Sequence, residues 1–289
     1  TFHAPFTTEN CALVGEAYHA IHRNLRGMTG QITAAHQTYL SAMASDDYNF
    51  IATQKIRNAA DIRGMAIGVV DPVSSWVTGA EGQPVRLQAD LLGARLEAGT
   101  LIGALLPNTE MRRLGLKKFA VHYTRAKFGA QVPFIITVNT RALKVLPDAL
   151  RSVVLETASG FASTSAQDYC AAGVEAVDIL KSQGVLTAKL LKSRRFQWAD
   201  ALGPVAQKWA ARNDKARRPG SKAMASFMSH LSAAGVTLTR DWSAPAPLDA
   251  VPKMTPPADQ VSEAPAAHAA KPAAKHASAP KTKKPAKHH

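Results

Sequence analysis

Three cationic side chains near predicted strand ends are the residues of this chain best suited to holding an anion. Arg86, Arg125 and Lys127 each lie close to the end of a predicted β-strand, and a guanidinium offers two parallel donors to a planar carboxylate. Two aromatic residues, Tyr48 and Trp76, are of the type that stacks on a ligand or forms a cation–π contact. The favoured interpretation of each cation is nevertheless an ordinary solvated surface charge, and that of each aromatic is a place in the core; the ligand-binding roles are the alternative.

No pattern of catalytic residues accompanies these candidates. The sequence contains no H-E-x-x-H, G-x-S-x-G, G-x-G-x-x-G or P-loop pattern. Asp46 and Asp47 are adjacent, so in an extended strand their side chains would point to opposite faces and would not share a site. His122 and Tyr123 form only a loose polar cluster near Arg125. We therefore predict binding without chemistry, with no catalytic residue, no cofactor and no metal.

Two cysteines, Cys11 and Cys170, are too few for a disulfide framework, and two sulfurs alone do not complete a structural zinc site. The sequence favours two helix-borne thiols in the core. The alternative is one long-range disulfide, which an oxidising compartment would permit. Both interpretations stay open at the level of sequence.

Positive charge is densest at the C-terminal end of the chain. The 289 residues carry a formal net charge of +14, which would normally suggest nucleic acid or an anionic surface as a partner. Residues 264–289 contain six Lys, four His and no acid, separated only by Ala, Pro, Ser and Thr. Such a composition predicts a disordered tail. A solvated appendage, a tether to anionic envelope surfaces, and a nucleic-acid contact are its three interpretations, of which the last is the least supported.

Ahead of this tail, helices and strands alternate as in an α/β fold. Thr7 or Thr8 is expected to cap a first helix. The predicted strands lie near residues 38–43, 48–53, 65–70, 84–87, 101–106, 119–124, 132–138 and 185–187, and the shorter predicted helices at 71–76, 88–98, 109–116, 196–211 and 223–234. No run of about 18 or more apolar residues occurs, so the sequence predicts no transmembrane helix.

One helix is predicted to be much longer than the others. It extends from Pro147, which suits a first turn, to Gln183, with Gly184 as its C-terminal cap. Its predicted apolar stripe is formed by Leu150, Val153, Val154, Ala158 and Phe161. A helix of this length would extend roughly 55 Å at about 1.5 Å per residue, enough to run beside two lobes.

Three separated segments occur in the order and spacing of one transport fold. They are NAADIRGMAIGVV at 58–70, PVRLQADLLGARLEAGTLIGALLP at 84–107, and FIITVNTRALKVLPDALRSVVLETAS at 134–159. Together they resemble the later two thirds of periplasmic substrate-binding proteins of the tripartite ATP-independent (TRAP) transporter class, the DctP-like family. The ADIRG segment resembles the family's D-L-K-G entry into the second lobe, and Pro84, Pro107 and Asn139 keep the register of the rest. The resemblance covers about residues 5–242.

The resemblance implies a two-lobed solute-binding fold of the type II kind, with a long connecting helix. Its lobes would comprise residues 1–50 as the remainder of lobe I, 51–132 as lobe II, 133–243 as the return to lobe I with the connecting and C-terminal helices, and 244–289 as the disordered tail. Members of the family carry further β/α units before the segment that matches residues 1–30. We therefore expect the first lobe to be incomplete, with an exposed sheet edge.

The family's ligand-binding residues are absent at the matching positions. Where members of the family have the Arg that clamps the ligand carboxylate, this chain has Gly68. Where some members have a second Arg, this chain has Tyr48. The position of the aromatic residue that covers the ligand in the family is occupied here by Ala89. The position of the family's Asn before the strand-end Pro is occupied by Leu106. A more apolar pocket is expected, in which Arg86, Arg125 or Lys127 would have to replace the clamp, because an anion buried without a cation is costly.

The function that the resemblance implies is capture of a small organic solute in a cleft between lobes, for delivery to the membrane permease of a TRAP system in the periplasm. An organic anion is the expected ligand class. The alternative is a diverged or truncated binding-protein scaffold with a vestigial cleft, whose basic tail engages an anionic surface or partner.

Overall fold

The structure is a computed structural model that describes residues 2–70, 73–132 and 134–244. The predicted basic tail and the residues Asp71 and Pro72, where a helix was expected to begin, lie outside the described residues. Those that are described fall in one compact unit, Thr1–Met254.

Strands and helices alternate along the described chain. The strands are β1 (Gln37–Met43), β2 (Tyr48–Ala52), β3 (Ala66–Val69), β4 (Gln83–Arg86), β5 (Gly103–Pro107), β6 (His122–Arg125), β7 (Phe134–Asn139) and β8 (Leu186–Lys189). The helices are α1 (Cys11–Asn24), α2 (Gly30–Ala34), α3 (Ser74–Thr78), α4 (Leu92–Glu97), α5 (Asn108–Arg113), α6 (Thr140–Lys144), α7 (Asp148–Ser182), α8 (Lys192–Ala201), α9 (Val205–Lys215) and α10 (Gly220–Ala233). Short 3-10 turns occur at Ala59–Ile62, Ala89–Leu91 and Leu116–Lys118.

The start of α1 and the helix predicted over 196–211 differ from the sequence prediction in ways that have a clear local cause. The cap of α1 is Asn10, whose side chain accepts a hydrogen bond from the Leu13 amide, so the prediction of Thr7 or Thr8 was wrong. The single helix predicted over 196–211 is two helices, α8 and α9. Gly203 has a left-handed φ of 61° and Pro204 follows it, and a proline does not continue a helix because it lacks the amide donor.

The main sheet has six strands in the order β4-β3-β5-β2-β6-β8. Strands β3, β4 and β5 are parallel to one another, β6 is parallel to β8, and β2 is antiparallel to β5 and β6 on its two sides. All strands except β2 therefore end at the same edge, where β2 begins. We call this the carboxyl edge. A separate two-stranded ladder pairs β1 with β7 in antiparallel register.

Apolar side chains form a layer on each face of the main sheet. One cluster includes Phe50, Val69, Trp76, Phe128 and Trp198. The other packs α4, α5 and the end of α7 against the opposite face. Side chains two residues apart on a strand point to the same face of the sheet. Ile67 and Val69 of β3 are an example, because both belong to the first cluster.

Helix α7 is a single 35-residue element, as its length and caps predicted. A disulfide between Cys11 and Cys170 joins its middle to the first residue of α1, with the Cα atoms 5.7 Å apart. The favoured expectation of two separate core thiols was therefore wrong, because the close crossing of α1 and α7 brings the two side chains together. Within the described residues, no helix is long and apolar enough to cross a membrane.

Candidate functional site

Two cavities lie at or beside the carboxyl edge of the main sheet. The first, which we call the basic cleft, has a volume of about 830 Å³ and lies beside the ends of β3 and β4. The second, which we call the buried-acid cavity, has a volume of about 600 Å³ and lies at the ends of β5, β6 and β8 under α7. The crevice outside the carboxyl ends of strands is the usual place for a ligand in an open α/β sheet.

Cations dominate the charge of the basic cleft. It is lined by Arg86, the last residue of β4, and by Lys208 and Arg212 on α9. Arg86 donates through Nε to the Ser74 hydroxyl at 2.6 Å. Within the part of the chain that the structure describes, the side chains of Lys208 and Arg212 form no hydrogen bond or ion pair. This cleft can therefore offer uncompensated positive charge to a ligand.

The one acid that lines the basic cleft is already neutralised. Glu81 pairs with Arg63 at 2.9 Å. His3 also lines the cleft, and burial lowers its pKa to about 4, so the imidazole is neutral at physiological pH. Its Nε2 atom is buried and has no hydrogen-bond partner among the described residues.

Aromatic rings form the apolar part of the basic cleft. The rings of Phe2 and Trp209 lie 5.0 Å apart between centroids. Trp76 also lines the cleft, although it is only 1% exposed, and its ring stacks on Phe128 at 5.2 Å. The cleft thus combines cations with aromatic surface, a composition suited to an organic anion.

In the buried-acid cavity the strongest charges are already paired. Glu9 accepts from Arg125 at 2.6 Å and also from Lys127. Burial would raise the pKa of Glu9, but the hydrogen bonds from Lys127 and Arg125 more than offset this and lower it. One ionised carboxylate therefore pairs with both Arg125 and Lys127 and cancels one of their two positive charges.

Two further acids lie deeper in the same cavity. Asp47 accepts from the Gly129 amide at 2.8 Å and from Asn49 at 2.9 Å, and burial raises its pKa well above its usual range. Asp46 accepts from the Thr109 amide at 2.8 Å, and burial raises its pKa to about 7. The expectation that Asp46 and Asp47 cannot share a site was wrong, because both precede β2 in irregular backbone and both line this cavity.

Asparagine and tyrosine side chains complete the polar network. Asn108 accepts at Oδ1 from Asn49 at 2.9 Å and from the Tyr123 hydroxyl at 3.0 Å. Asn108 follows Pro107 directly, two residues beyond the family position occupied by Leu106. This chain therefore has an amide side chain at the end of β5, but two residues later in the sequence than the Asn of the family.

The predicted site residues do not converge on one site. Trp76 and Arg86 lie at the basic cleft, whereas Arg125 lines the buried-acid cavity and Lys127 reaches it through Glu9. Tyr48 is 1% exposed and its ring meets that of Trp76 edge-on at 5.6 Å. The ligand-binding roles of these residues stay predictions.

The two remaining predicted positions, Gly68 and Leu106, are enclosed by apolar side chains. A Cβ at Gly68 would lie 2.4 Å from Leu92 Cδ2 and 3.0 Å from Leu101 Cδ1, so an Arg at this position would require both leucines to move. Leu106 is 2% exposed. Ala89, in the family's aromatic position, begins the 3-10 turn Ala89–Leu91.

Sequence reasoning missed several residues that line the cavities. Glu9, Asp46, Lys208 and Arg212 carry no motif. The four-residue spacing of Lys208 and Arg212 places both on one face of a helix, which was the one available signal. That this face would lie beside Trp76 depends on tertiary packing.

Comparison with known proteins gives one family and one fold. The model of a family described as "Bacterial extracellular solute-binding protein, family 7" (DctP) matches residues 2–213. Among curated protein sequences, none matches this chain.

Similar solved structures are TRAP solute-binding proteins of low sequence identity. One from Desulfovibrio salexigens DSM2638, described as an open complex, is 15% identical with a TM-score of 0.70, covering 80% of this chain and 71% of that one. One from Rhodoferax ferrireducens T118, in complex with copurified benzoate, is 13% identical with a TM-score of 0.72, covering 81% and 74%. A second Rhodoferax ferrireducens protein, with bound malonate, is 14% identical with a TM-score of 0.63, covering 76% and 71%. The two-lobed α/β fold predicted from the sequence is confirmed by these similarities.

Proposed function

This chain belongs to the DctP family of bacterial extracellular solute-binding proteins, and on that premise we propose that its basic cleft captures a small organic anion. Capture of a solute is the function of the family, which is not a family of enzymes. The family predicted from the three sequence segments is confirmed. The position of the site and the class of the solute are the parts proposed here.

The observation that carries the proposal is the unpaired positive charge of the basic cleft. Lys208 and Arg212 have no acidic partner among the described residues, and Arg86 is held by a neutral hydroxyl. A carboxylate that leaves water needs such donors, because an uncompensated buried charge is costly. In the buried-acid cavity, by contrast, Glu9 already occupies Arg125 and Lys127.

Ligands of the similar proteins agree with an anion. The Rhodoferax ferrireducens proteins hold benzoate and malonate, and one from Desulfovibrio salexigens holds orotic acid. The half-buried ring of Trp209 in the basic cleft favours a planar acid such as benzoate over an aliphatic one.

Delivery of the solute to a TRAP permease in the periplasm completes the proposed function. Residues from all three segments expected from the sequence, 1–50, 51–132 and 133–243, line the basic cleft. A hinge motion between the proposed lobes would therefore enclose a ligand bound there. The Cys11–Cys170 disulfide supports an oxidising compartment.

The proposal is tested by calorimetry and thermal shift of the full chain with benzoate, malonate and the neutral analogue benzamide. We expect benzoate to raise the melting temperature and benzamide to leave it unchanged, since a ligand that binds only the folded state stabilises it. The double substitution Lys208→Gln with Arg212→Gln should weaken benzoate binding at least tenfold. Arg95→Gln, on the exposed surface of α4, is the matched control and should bind normally.

A cooperative melt with no response to any of the acids would contradict the proposal. That result would favour the alternative of a scaffold with a vestigial cleft. The enclosure of Gly68 by Leu92 and Leu101 is the observation that keeps this alternative worth testing.

A further inference from the structure

We propose that the buried-acid cavity is a second binding site, and that it takes a small ω-amino carboxylate whose ammonium group pairs with Asp46 and whose carboxylate pairs with Lys189. This site is separate from the basic cleft, and the proposal does not depend on an anion binding there. The argument rests on the volume of the cavity, on which of its charges are unpaired, and on the surface between them.

The cavity has the size and position of a small-molecule site. Its volume of about 600 Å³ lies in the range of ligand pockets, roughly 300 to 1,000 Å³. Asn108, Arg125 and Lys189 mark the ends of three strands on its floor, and α7 covers it. Gly173 lets α7 approach closely, since a Cβ there would lie 2.4 Å from Asp46 Oδ2.

Of the acids that line this cavity, Asp46 is the one that lacks a countercharge or a full set of hydrogen bonds among the described residues. Glu9 is paired with Arg125 and Lys127, and Asp178 with Lys181 at 2.8 Å. Asp47 is held by the Gly129 amide and Asn49.

Asp46 is 2% exposed, and its Oδ1 atom is buried with no partner. Leaving a carboxylate oxygen unsatisfied is costly, and native structures rarely do so without a reason. An ammonium ligand would supply the missing donor and the missing charge.

Of the cations that line the cavity, Lys189 is the one without an ion pair in the described part of the chain. Arg125 donates twice to Glu9, and Lys181 donates to Asp178. Lys189 ends β8 and is exposed. The two unpaired charges of the cavity therefore have opposite signs, which selects a zwitterion over a simple anion or cation.

The separation of these two charges selects the length of the ligand. Lys189 is level with Asn49 across β6, because Arg125 pairs with Lys189 and Thr124 with Phe50. Two strand spacings of about 4.8 Å separate Lys189 from Asn49, and Asp46 lies three residues beyond Asn49, so the backbones of Asp46 and Lys189 are more than about 10 Å apart. Val174 and Val177 of α7 line the cavity and provide apolar surface for a methylene chain. An ω-amino acid of four to six carbons, whose charged groups are separated by a methylene chain, would span this distance better than an α-amino acid, whose charged groups share one carbon.

Binding of an ammonium group must ionise Asp46, so ligand uptake should release a proton. The charged and titratable groups that share this cavity with Asp46 or act on it come from every element around it. They are Glu110 of α5, Asp178 and Lys181 of α7, Lys189 of β8, Tyr123 and Arg125 of β6, the neighbouring Asp47, and Glu9. Glu9 is already ionised through its two cations, and Asp47 keeps its own hydrogen bonds to Gly129 and Asn49. The released proton is therefore assigned to Asp46.

The experiment is calorimetry of the full chain with glycine, 4-aminobutyrate, 5-aminopentanoate and 6-aminohexanoate, with pentanoate and pentylamine as single-charge comparisons. We expect one of the three longer zwitterions to bind at least tenfold more tightly than glycine, pentanoate or pentylamine. Measurement in buffers of different ionisation enthalpy should show about one proton released per ligand at pH 6 and close to none at pH 8.5.

Five variants locate the site. Asp46→Asn and Lys189→Gln should each weaken zwitterion binding at least tenfold, and Asp46→Asn should abolish proton release. Asp168→Asn, on the exposed face of α7, and Lys118→Gln are the matched controls and should bind normally. The Lys208→Gln, Arg212→Gln variant should also bind the zwitterion normally, which separates this site from the basic cleft. Absence of binding by the whole series, equal binding of pentanoate, or normal binding by Asp46→Asn would each overturn the proposal.

Discussion

At the scale of single residues, the structure and the sequence prediction disagree about which charged side chains lack an ion-pair partner. Arg125 and Lys127 were predicted to replace a missing arginine clamp, but both contact Glu9. Among the described charged residues that line the two cavities, those without an ion pair include Lys208, Arg212, Lys189 and the buried Asp46. Partners of a side chain are set by tertiary contacts between segments far apart in sequence, and no local pattern reports them.

The buried carboxyl group of Asp46 should make folding stability depend on pH. Its pKa rises from an ordinary value of 3.8 to about 7 in the folded protein because of burial. The folded state then holds the proton more tightly than the unfolded chain, so ionisation opposes folding. Stability should fall as the pH rises from about 4 to about 7, and then level off.

Asp46→Asn removes this loss and should stabilise the protein by up to a few kcal/mol above pH 7, with a smaller gain at pH 5. Urea denaturation at pH 5, 6, 7 and 8 measures the difference. The control Asp178→Asn removes an exposed ion pair worth at most about 1 kcal/mol. A gain for Asp46→Asn that is equal at every pH would show that the carboxyl group is not the cause.

At the scale of secondary-structure elements, α7 organises the molecule. It crosses α1 closely, because Gly15 leaves room where a Cβ would lie 2.8 Å from the Ala162 carbonyl oxygen. It also covers the buried-acid cavity through Gly173. The disulfide fixes the first crossing and forms part of the cavity wall.

Removing the disulfide should destabilise the protein substantially. The bond closes a sequence separation of 159 residues, and a loop of this length is expected to contribute about 2 to 5 kcal/mol by restricting the unfolded chain. The double substitution Cys11→Ser with Cys170→Ser should lower the melting temperature. A reductant should lower that of the unmodified protein to a similar value and leave the double variant unchanged. Equal melting of the unmodified protein with and without reductant would contradict a stabilising disulfide.

Elements with strong local signals could be predicted from the sequence. The limits of α7 were predicted within one or two residues, because Pro147 and Gly184 flank it. The break between α8 and α9 was missed although Gly203 and Pro204 signal it, since the apolar pattern continues across them.

The apolar face of α7 was harder to predict. Its predicted stripe includes Leu150 and Val153, which are 54% and 56% exposed, whereas the helix buries Ala162, Ser165 and Ala166. The small residues are buried because α1 approaches closely there, and size complementarity between two distant segments is not visible in the periodicity of one.

At the scale of the whole molecule, positive charge is distributed over two regions. The first is the surface near the basic cleft, where Lys208, Arg212, Lys215, Arg217, Arg218 and Lys222 are all exposed. The second is the segment 264–289 with its six lysines and no acid. The first would raise the local concentration of an anionic solute beside the basic cleft, whereas the second lies outside the residues that the structure describes.

Removal of residues 255–289 should separate these two contributions. A chain ending at Met254 keeps the basic cleft, so we expect its melting temperature and its affinity for benzoate to match those of the full chain. Its binding to vesicles with about a quarter anionic lipid should be much weaker, because each lysine near such a surface contributes about 1 kcal/mol. Co-sedimentation with these vesicles at low and high salt measures the effect, which should be lost at high salt through screening. If the shortened chain binds vesicles as well as the full chain, the compact unit carries the anionic-surface contact itself, and the cluster on α9 and α10 is then the surface to substitute next.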